Sequence, residues 1–201
     1  MNLNLSNKIS SKYQDYKIKK IDGGASNRNF FRFSKNNESF ICIDSNKEKD
    51  KFFSYLNINS HLSKINISIP KIYEKYENDH LLIIEDFGDL RFDKILLNHP
   101  IKDILKLAVE SLIVIKNSID FNESYNLEVY NYKNFISEIS EFPDYYYRYF
   151  YKKNISENFK KEFYECWTHN YNLIDFDFSF FVHKDFNLNN LIYLPDRKEY
   201  L

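Results

Sequence analysis

Val182-His183-Lys184-Asp185-Phe186-Asn187-Leu188-Asn189-Asn190 is the stretch that decides the reading of this chain. It is written H-x-D-x-x-x-x-N, with apolar residues on both sides. The spacing has a mechanical reason. An aspartate accepts the proton of an attacking hydroxyl, and an asparagine five residues on, across a tight loop, supplies an oxygen to Mg²⁺ beside the phosphates. The pattern is that of a phosphotransferase catalytic loop, with Asp185 as candidate catalytic residue and Asn190 as candidate metal ligand. Leu201 follows Asn190 by eleven residues.

Composition bounds what surrounds this loop. At 201 residues and 43% hydrophobic content the chain is long enough to bury a proper core in one or two domains. A net charge of -1, with Lys, Asp and Glu interspersed, argues against a nucleic-acid partner. No apolar run has membrane-spanning length, and the first residues lack the basic-then-apolar layout of a secretory signal, so the expected location is cytoplasmic. Nothing marks an obligate protein partner. Cys42 and Cys166 match no metal spacing and form no C-x-x-C; both are expected to be small buried apolar residues, with no disulfide or zinc site. Gly23, Gly24 and Gly88 are the only glycines, where ordinary usage gives about 14, so each is expected to mark a required backbone shape.

The N-terminal third alternates β-like runs with turns. Residues 16–21, 28–33 and 39–44 are rich in aromatic and β-branched side chains, and Gly23-Gly24 and Lys35-Asn36-Asn37 interrupt them as hairpin connections do. Residues 48–62 place Phe52, Phe53, Leu56 and Leu62 near one helical face, and residues 72–76 return to extended structure. Leu81-Leu82-Ile83-Ile84 suits a strand buried on both faces, ending in a polar turn with Asp89 as a helix N-cap. Beyond it the period changes: Ile101, Ile104, Leu105, Ala108, Leu112, Ile115 and Ile119 recur at helical spacing after Pro100 and predict a long buried helix. Residues 130–151, with a break at Pro143, and 156–171 predict further helices; residues 178–183 and 191–194 predict short extended segments around the loop. The run Tyr145-Tyr146-Tyr147-Arg148-Tyr149-Phe150-Tyr151 points in all directions on a helix, so most of its rings are expected in packing contacts.

Gly23, Gly24, Ala25 and Ser26 lie between the first two predicted strands. A Gly-Gly pair there is most often only a turn; placed ahead of a sheet-plus-helix lobe and a catalytic loop, it also suits backbone N-H groups and a Ser26 hydroxyl laid over phosphates. No G-x-x-x-x-G-K-[ST] occurs.

Together these runs resemble the aminoglycoside phosphotransferase and choline kinase superfamily, and within it the anomeric N-acetylmuramate/N-acetylglucosamine kinase group. Ala25-Ser26-Asn27-Arg28-Asn29-Phe30-Phe31-Arg32 is similar to that group's glycine-loop hairpin, and Ile41-Cys42-Ile43-Asp44 to its third strand. Leu82-Ile83-Ile84-Glu85-Asp86-Phe87-Gly88-Asp89 resembles its hinge, Glu141-Phe142-Pro143 an E-x-F-P-like turn, and Val182 to Asn190 its catalytic loop. The resemblance implies an α+β, protein-kinase-like two-lobed fold: an N-lobe over residues 1–88, with an antiparallel sheet and one helix, and a partial helical C-lobe over residues 89–201, with the catalytic loop at 182–190. It implies an ATP-dependent phosphotransferase that uses Mg²⁺ and passes the γ-phosphoryl group to a small-molecule hydroxyl, an amino sugar at C1. Glu85, Asp86 and Phe87 would form the adenine-binding hinge, and Gly23, Gly24, Ala25 and Ser26 would cover the phosphates. A kinase of choline or aminoglycoside type, and a catalytically silent nucleotide-binding fragment, are the alternatives.

The departures are as specific. The superfamily's third-strand lysine is absent, and neither Lys47 nor Lys49 is assignable in its place. Asn187 stands where a histidine is usual, and His183 is expected to brace the loop. A second metal-binding aspartate, in a D-F-Q-like context, is expected just beyond Leu201, so the chain reads as the front portion of a longer kinase.

Overall fold

The computed structural model describes residues 7–24, 26–118, 129–175 and 181–197. The chain divides into two compact units, Met1–Asp120 with Val182–Leu201, and Phe121–Phe181.

The first unit is built on a five-stranded antiparallel sheet. Strands β1 (Lys17–Ile21), β2 (Asn29–Lys35), β3 (Glu38–Asp44), β4 (Ile72–Tyr76) and β5 (Leu81–Glu85) lie in the order β1-β2-β3-β5-β4. The predicted hairpin-connected strands are therefore present as β1–β3, and Asn36 takes the positive φ of 53° that closes the β2–β3 hairpin.

Period-two alternation sends successive side chains to opposite faces, and both faces are covered. Phe31, Phe33, Cys42, Leu81 and Ile83 cluster with Ile9 and Tyr13, from and just after helix α1 (Asn7–Lys12). Ile43, Leu82 and Ile84 cluster with Phe52 of helix α2 (Lys49–Leu62), and Phe30, Ile41, Tyr55 and Leu56 pack against them. This is why β5 reads as an unbroken apolar run. Phe52, with no exposed surface, contributes roughly 1.5–3 kcal/mol by burial alone.

A third cluster lies beyond the sheet. Phe92 and Ile95 of the short helix α3 (Phe92–Ile95) join Ile104 and Ala108 of helix α4 (Ile101–Ser118) and Leu191. The expectation of a long buried helix needs correcting: Ile104, Ala108, Ser111 and Ile115 are buried, whereas Ile101, Leu105, Val109, Leu112 and Ile113 are exposed. One apolar stripe is covered and its neighbour is not; Ile119 lies outside the described residues. Asp89 is not a helix N-cap either, because Arg91 precedes α3 and Asp89 instead pairs with Arg32.

The second unit is helical. Helix α5 (Tyr132–Glu141) starts at an Asn131 capping box. At Pro143, which has no N-H to donate, the chain widens into a π turn over Phe142–Tyr146 rather than breaking, and continues as α6 (Tyr147–Tyr151). Helix α7 (Glu157–Leu173) starts at Ser156, whose hydroxyl accepts from the Phe159 N-H. Phe142 stacks on Phe163 at 5.6 Å, Phe135 meets Tyr171 at 4.9 Å, and Lys160 pairs with Asp144 at 3.0 Å. The aromatic run is not mainly packed inward as expected: Tyr145, Tyr146, Tyr149, Phe150 and Tyr151 are exposed. Cys166 is exposed as well, unlike buried Cys42. The predicted extended segment at 178–183 falls largely outside the described residues. No helix of the described residues is long and apolar enough to cross a membrane.

Candidate active site

The loop at 182–190 is held from below by its own apolar residues. Phe186 and Leu188 pack against the Phe92, Ile95, Ile104, Ala108 and Leu191 cluster, and the Asp93 and Phe92 N-H groups donate to the Leu188 and Leu191 carbonyls. Ile192 bridges Arg91 antiparallel, and the Tyr193 N-H donates to Leu90 O at 2.8 Å. The alternation of apolar and polar residues after His183 thus separates anchors from working groups.

The working groups face one another. Asp185 Oδ1 accepts from Asn187 Nδ2 at 2.6 Å, and its Oδ2 accepts from Asn190 Nδ2 at 2.7 Å. Asn190 Nδ2 also donates to Asp185 O at 3.0 Å, which closes the loop on itself. Both carboxylate oxygens are therefore oriented by amide donors. The Asn190 Oδ1 atom makes no hydrogen bond among the described residues. The Asn187 Oδ1 accepts from the Asn189 N-H at 3.0 Å, so Asn187 orients both the carboxylate and the turn. The sequence assigned Asn187 no such role; its i+2 spacing from Asp185 was the available signal. Lys184 adopts φ 66°, a left-handed conformation that costs on the order of 1 kcal/mol and turns the chain sharply before Asp185. The His183 ring meets Phe186 edge-on at 5.4 Å, and desolvation lowers its pKa while Asp185 pulls it up.

The glycine turn is a second centre. Gly24 has φ 62°, and its N-H donates to Asp22 Oδ1 at 3.0 Å. Gly23 is required for a different reason: a Cβ there would lie 2.8 Å from the Phe30 ring. Ala25 lies outside the described residues. The Ser26 N-H donates to Gly23 O at 3.3 Å, and its hydroxyl donates to Glu48 Oε2 at 3.3 Å and accepts from the Arg28 N-H at 3.2 Å. Asn27 Nδ2 reaches Glu48 Oε1 at 3.3 Å. Glu48, at the start of α2, therefore ties the turn to the helix, a role the sequence did not disclose.

The hinge candidates Glu85, Asp86 and Phe87 are gripped by two arginines. Arg32 of β2 sets its Nε 2.6 Å from Asp86 Oδ2 and its Nη2 3.0 Å from Asp86 Oδ1, and reaches Asp89 Oδ2 at 2.8 Å. The guanidinium beside Asp89 holds that carboxyl below its ordinary pKa, against the opposing effect of burial. Arg197 bonds Glu85 and lies over the Phe87 ring at 4.8 Å. Glu85 Oε2 also accepts from the Lys71 N-H. The Phe87 backbone N-H and carbonyl make no hydrogen bond among the described residues.

Each of the three groups is thus locally assembled, and all belong to the first unit. Arg197 joins the segment after Asn190 to the hinge candidate Glu85, and Asp22 of the glycine turn lies within electrostatic reach of Arg91. Among the described residues no hydrogen bond or ion pair joins the glycine turn to Asp185 or Asn190.

No protein-family profile matches the sequence, and no curated protein matches it. Among solved structures, the streptomycin–ATP–APH(2")-IIa ternary complex matches with a TM-score of 0.60, at 15% identity, over 98% of this chain and 69% of the other. That neighbour is an aminoglycoside phosphotransferase. At this identity the likeness is one of fold: the chain has an α+β, protein-kinase-like architecture, with the five-stranded antiparallel sheet in the place of the small-lobe sheet.

Proposed function

We propose that this protein is an ATP-dependent small-molecule kinase, with an N-lobe at 1–88, a helical C-lobe from 89, and a hydroxyl of an amino sugar such as N-acetylmuramate or N-acetylglucosamine as acceptor. The observation that carries the reading is Asp185 held through both oxygens by Asn187 and Asn190, with an oxygen of Asn190 left over. A phosphoryl transfer with a loose transition state asks for positioning more than basicity, and a carboxylate fixed at both oxygens meets that demand. Asp185 receives the acceptor hydroxyl and its proton. Asn187 prevents rotation of the carboxylate, and Asn190 ties it to the loop backbone.

The uncommitted Asn190 oxygen fits Mg²⁺. Asn190 Oδ1 is a hard oxygen ligand of the kind that helps complete a magnesium site together with phosphates and water. When bound, the metal supplies neutralisation of the phosphate charge. Glu85, Asp86 and Phe87 would receive the purine edge through the backbone of Phe87, and Gly23, Gly24, Ala25 and Ser26 would lie against the phosphates. An ATP-using kinase of this kind works in the cytoplasm.

The test is phosphate transfer from Mg-ATP across a panel of amino sugars, choline and aminoglycosides. Asp185→Asn is expected to lower the rate on the order of 10²–10⁴-fold. Equal activity in that variant refutes the role of Asp185. A preference for a cationic acceptor replaces the amino-sugar reading, and nucleotide binding without turnover selects the silent one.

A further inference from the structure

Arg28 ends the glycine turn and precedes β2. Its guanidinium lies over the Phe30 ring at 5.3 Å, its Nε donates to Ser26 Oγ at 3.0 Å, and Glu48 Oε2 stands 3.9 Å from the same nitrogen. Three contacts therefore fix the plane of the group from its Nε side and from one face. Nη1 and Nη2 make no hydrogen bond or ion pair among the described residues. The side chain is half-buried, so this orientation is not that of a freely sampling surface arginine.

Among the described residues, β3 brings no cation to this end of the sheet, and Lys19 and Lys20 of β1 are exposed. Phe30 pairs with Ile43 and Asn29 with Asp44, and β3 brings Ile41, Cys42 and Ile43 to this end of the sheet. Lys47 and Lys49 are exposed. The carboxylates facing the turn are already engaged: Asp22 by the Gly24 N-H, Asp44 by Asn29 and Asn46, and Glu48 by Ser26, Asn27 and Arg28. A planar guanidinium with one edge uncommitted matches two oxygens of a phosphate.

The geometry points to Arg28 as the oxyanion-binding residue of the glycine turn, taking a phosphoryl group of the nucleotide through its Nη1/Nη2 edge while Phe30, Ser26 and Glu48 hold it in place. The inference rests on the nucleotide reading above. Glu48 is a positioning residue.

Calorimetric affinities for adenosine, ADP and metal-free tripolyphosphate test it in the wild type, Arg28→Gln, Arg28→Lys and Glu48→Gln, alongside unliganded melting temperatures. Loss of a charge-assisted contact is expected to weaken ADP and tripolyphosphate about 10- to 100-fold in Arg28→Gln, and to leave adenosine within about twofold. Arg28→Lys is expected to recover part of the loss, and Glu48→Gln to lose less than Arg28→Gln. An unchanged ADP-to-adenosine ratio in Arg28→Gln overturns the inference and makes Arg28 a brace of the loop only; so does an equal loss of both ligands. If the wild type binds tripolyphosphate through Arg28 but neither nucleoside ligand, the anion site stands and the nucleotide reading fails. If it binds none of the three, both fall.

Discussion

Replacing Arg32 by methionine tests whether the turn after β5 is set by a buried ion pair. The Asp86 side chain is 4% exposed and that of Arg32 21%, and two of the guanidinium nitrogens meet the two Asp86 oxygens at 2.6 and 3.0 Å. Removing the arginine leaves Asp86 with the Gly88 N-H at 2.9 Å as its remaining donor. Breaking such a pair from one side costs about 3–5 kcal/mol. The retained Gly88 bond and the partial exposure of Arg32 favour the lower end, about 3 kcal/mol. The contact to Asp89, which is 76% exposed, adds less than about 1 kcal/mol. For a chain of this size each kcal/mol moves the melting temperature by about 2–4 °C, so Arg32→Met is expected to melt about 6–12 °C lower. Thermal denaturation followed by circular dichroism reads the shift, and urea titration at unchanged m confirms that the native state is the one altered. Asp89→Asn is expected to move it far less. Arg32→Met combined with Asp86→Leu is expected to regain part of the loss, because the stranded charge is gone. A shift below about 2 °C in the single variant, or a double variant no more stable than the single, refutes the buried-pair argument.

Four further outcomes follow from other parts of the chain. Gly23→Ala is expected to cost about 1–3 kcal/mol because its Cβ would press on the Phe30 ring at 2.8 Å, whereas Gly24→Ala has open space and carries only the roughly 1–2 kcal/mol of a positive φ; paired melting curves, with Phe30→Leu rescuing Gly23→Ala alone, distinguish the two. Burial pushes the Cys42 thiol up to about 12, so a thiol reagent at pH 8 is expected to label Cys166 in the folded protein and Cys42 only after denaturation; rapid double labelling contradicts this. Burial works against ionisation of Glu74, but hydrogen bonds from Tyr13 and Tyr76 and the Lys12 ion pair at 2.9 Å outweigh it and depress its pKa below 4.5. The carboxylate's stabilisation is then present above that value and lost as pH falls through the lower folded value, so the melting-temperature gap between wild type and Glu74→Gln closes on acidification and not before. Tyr145→Ser and Tyr149→Ser are expected to change stability by no more than about 0.5 kcal/mol by urea titration, since both rings are exposed.

The sheet and the loop were legible for different reasons. Strand β5 was readable because burial on both faces leaves an apolar run, and the hairpin at Asn36 because few residues adopt its positive φ. The long helix was over-read: periodicity reports which residues are able to share a buried stripe, but not how wide a stripe the neighbours cover, and Leu105, Val109 and Leu112 stayed outside. The aromatic run misled in the same way, since composition sets how much apolar surface exists and tertiary packing decides how much of it is covered. In the candidate site, the spacing of Asp185 and Asn190 was a local property and was visible. Arg32 with Asp86, and Arg197 with Glu85, join residues separated by 54 and 112 positions, and no short motif records such pairs.

The segment that carries Phe186, Leu188 and Leu191 packs on residues 92–108, yet the whole second unit is translated in between. The first unit is thus discontinuous, with the second inserted into its sequence. On the ribosome, the sheet is complete once Glu85 has emerged, but the cluster around Phe92 stays open until Leu191 arrives. A nascent or prematurely terminated chain therefore displays Phe92, Ile95 and Ile104 to solvent, a transient adhesive surface of the kind that recruits chaperones. Closing it late, over a long loop, makes this step an entropically slow one in folding.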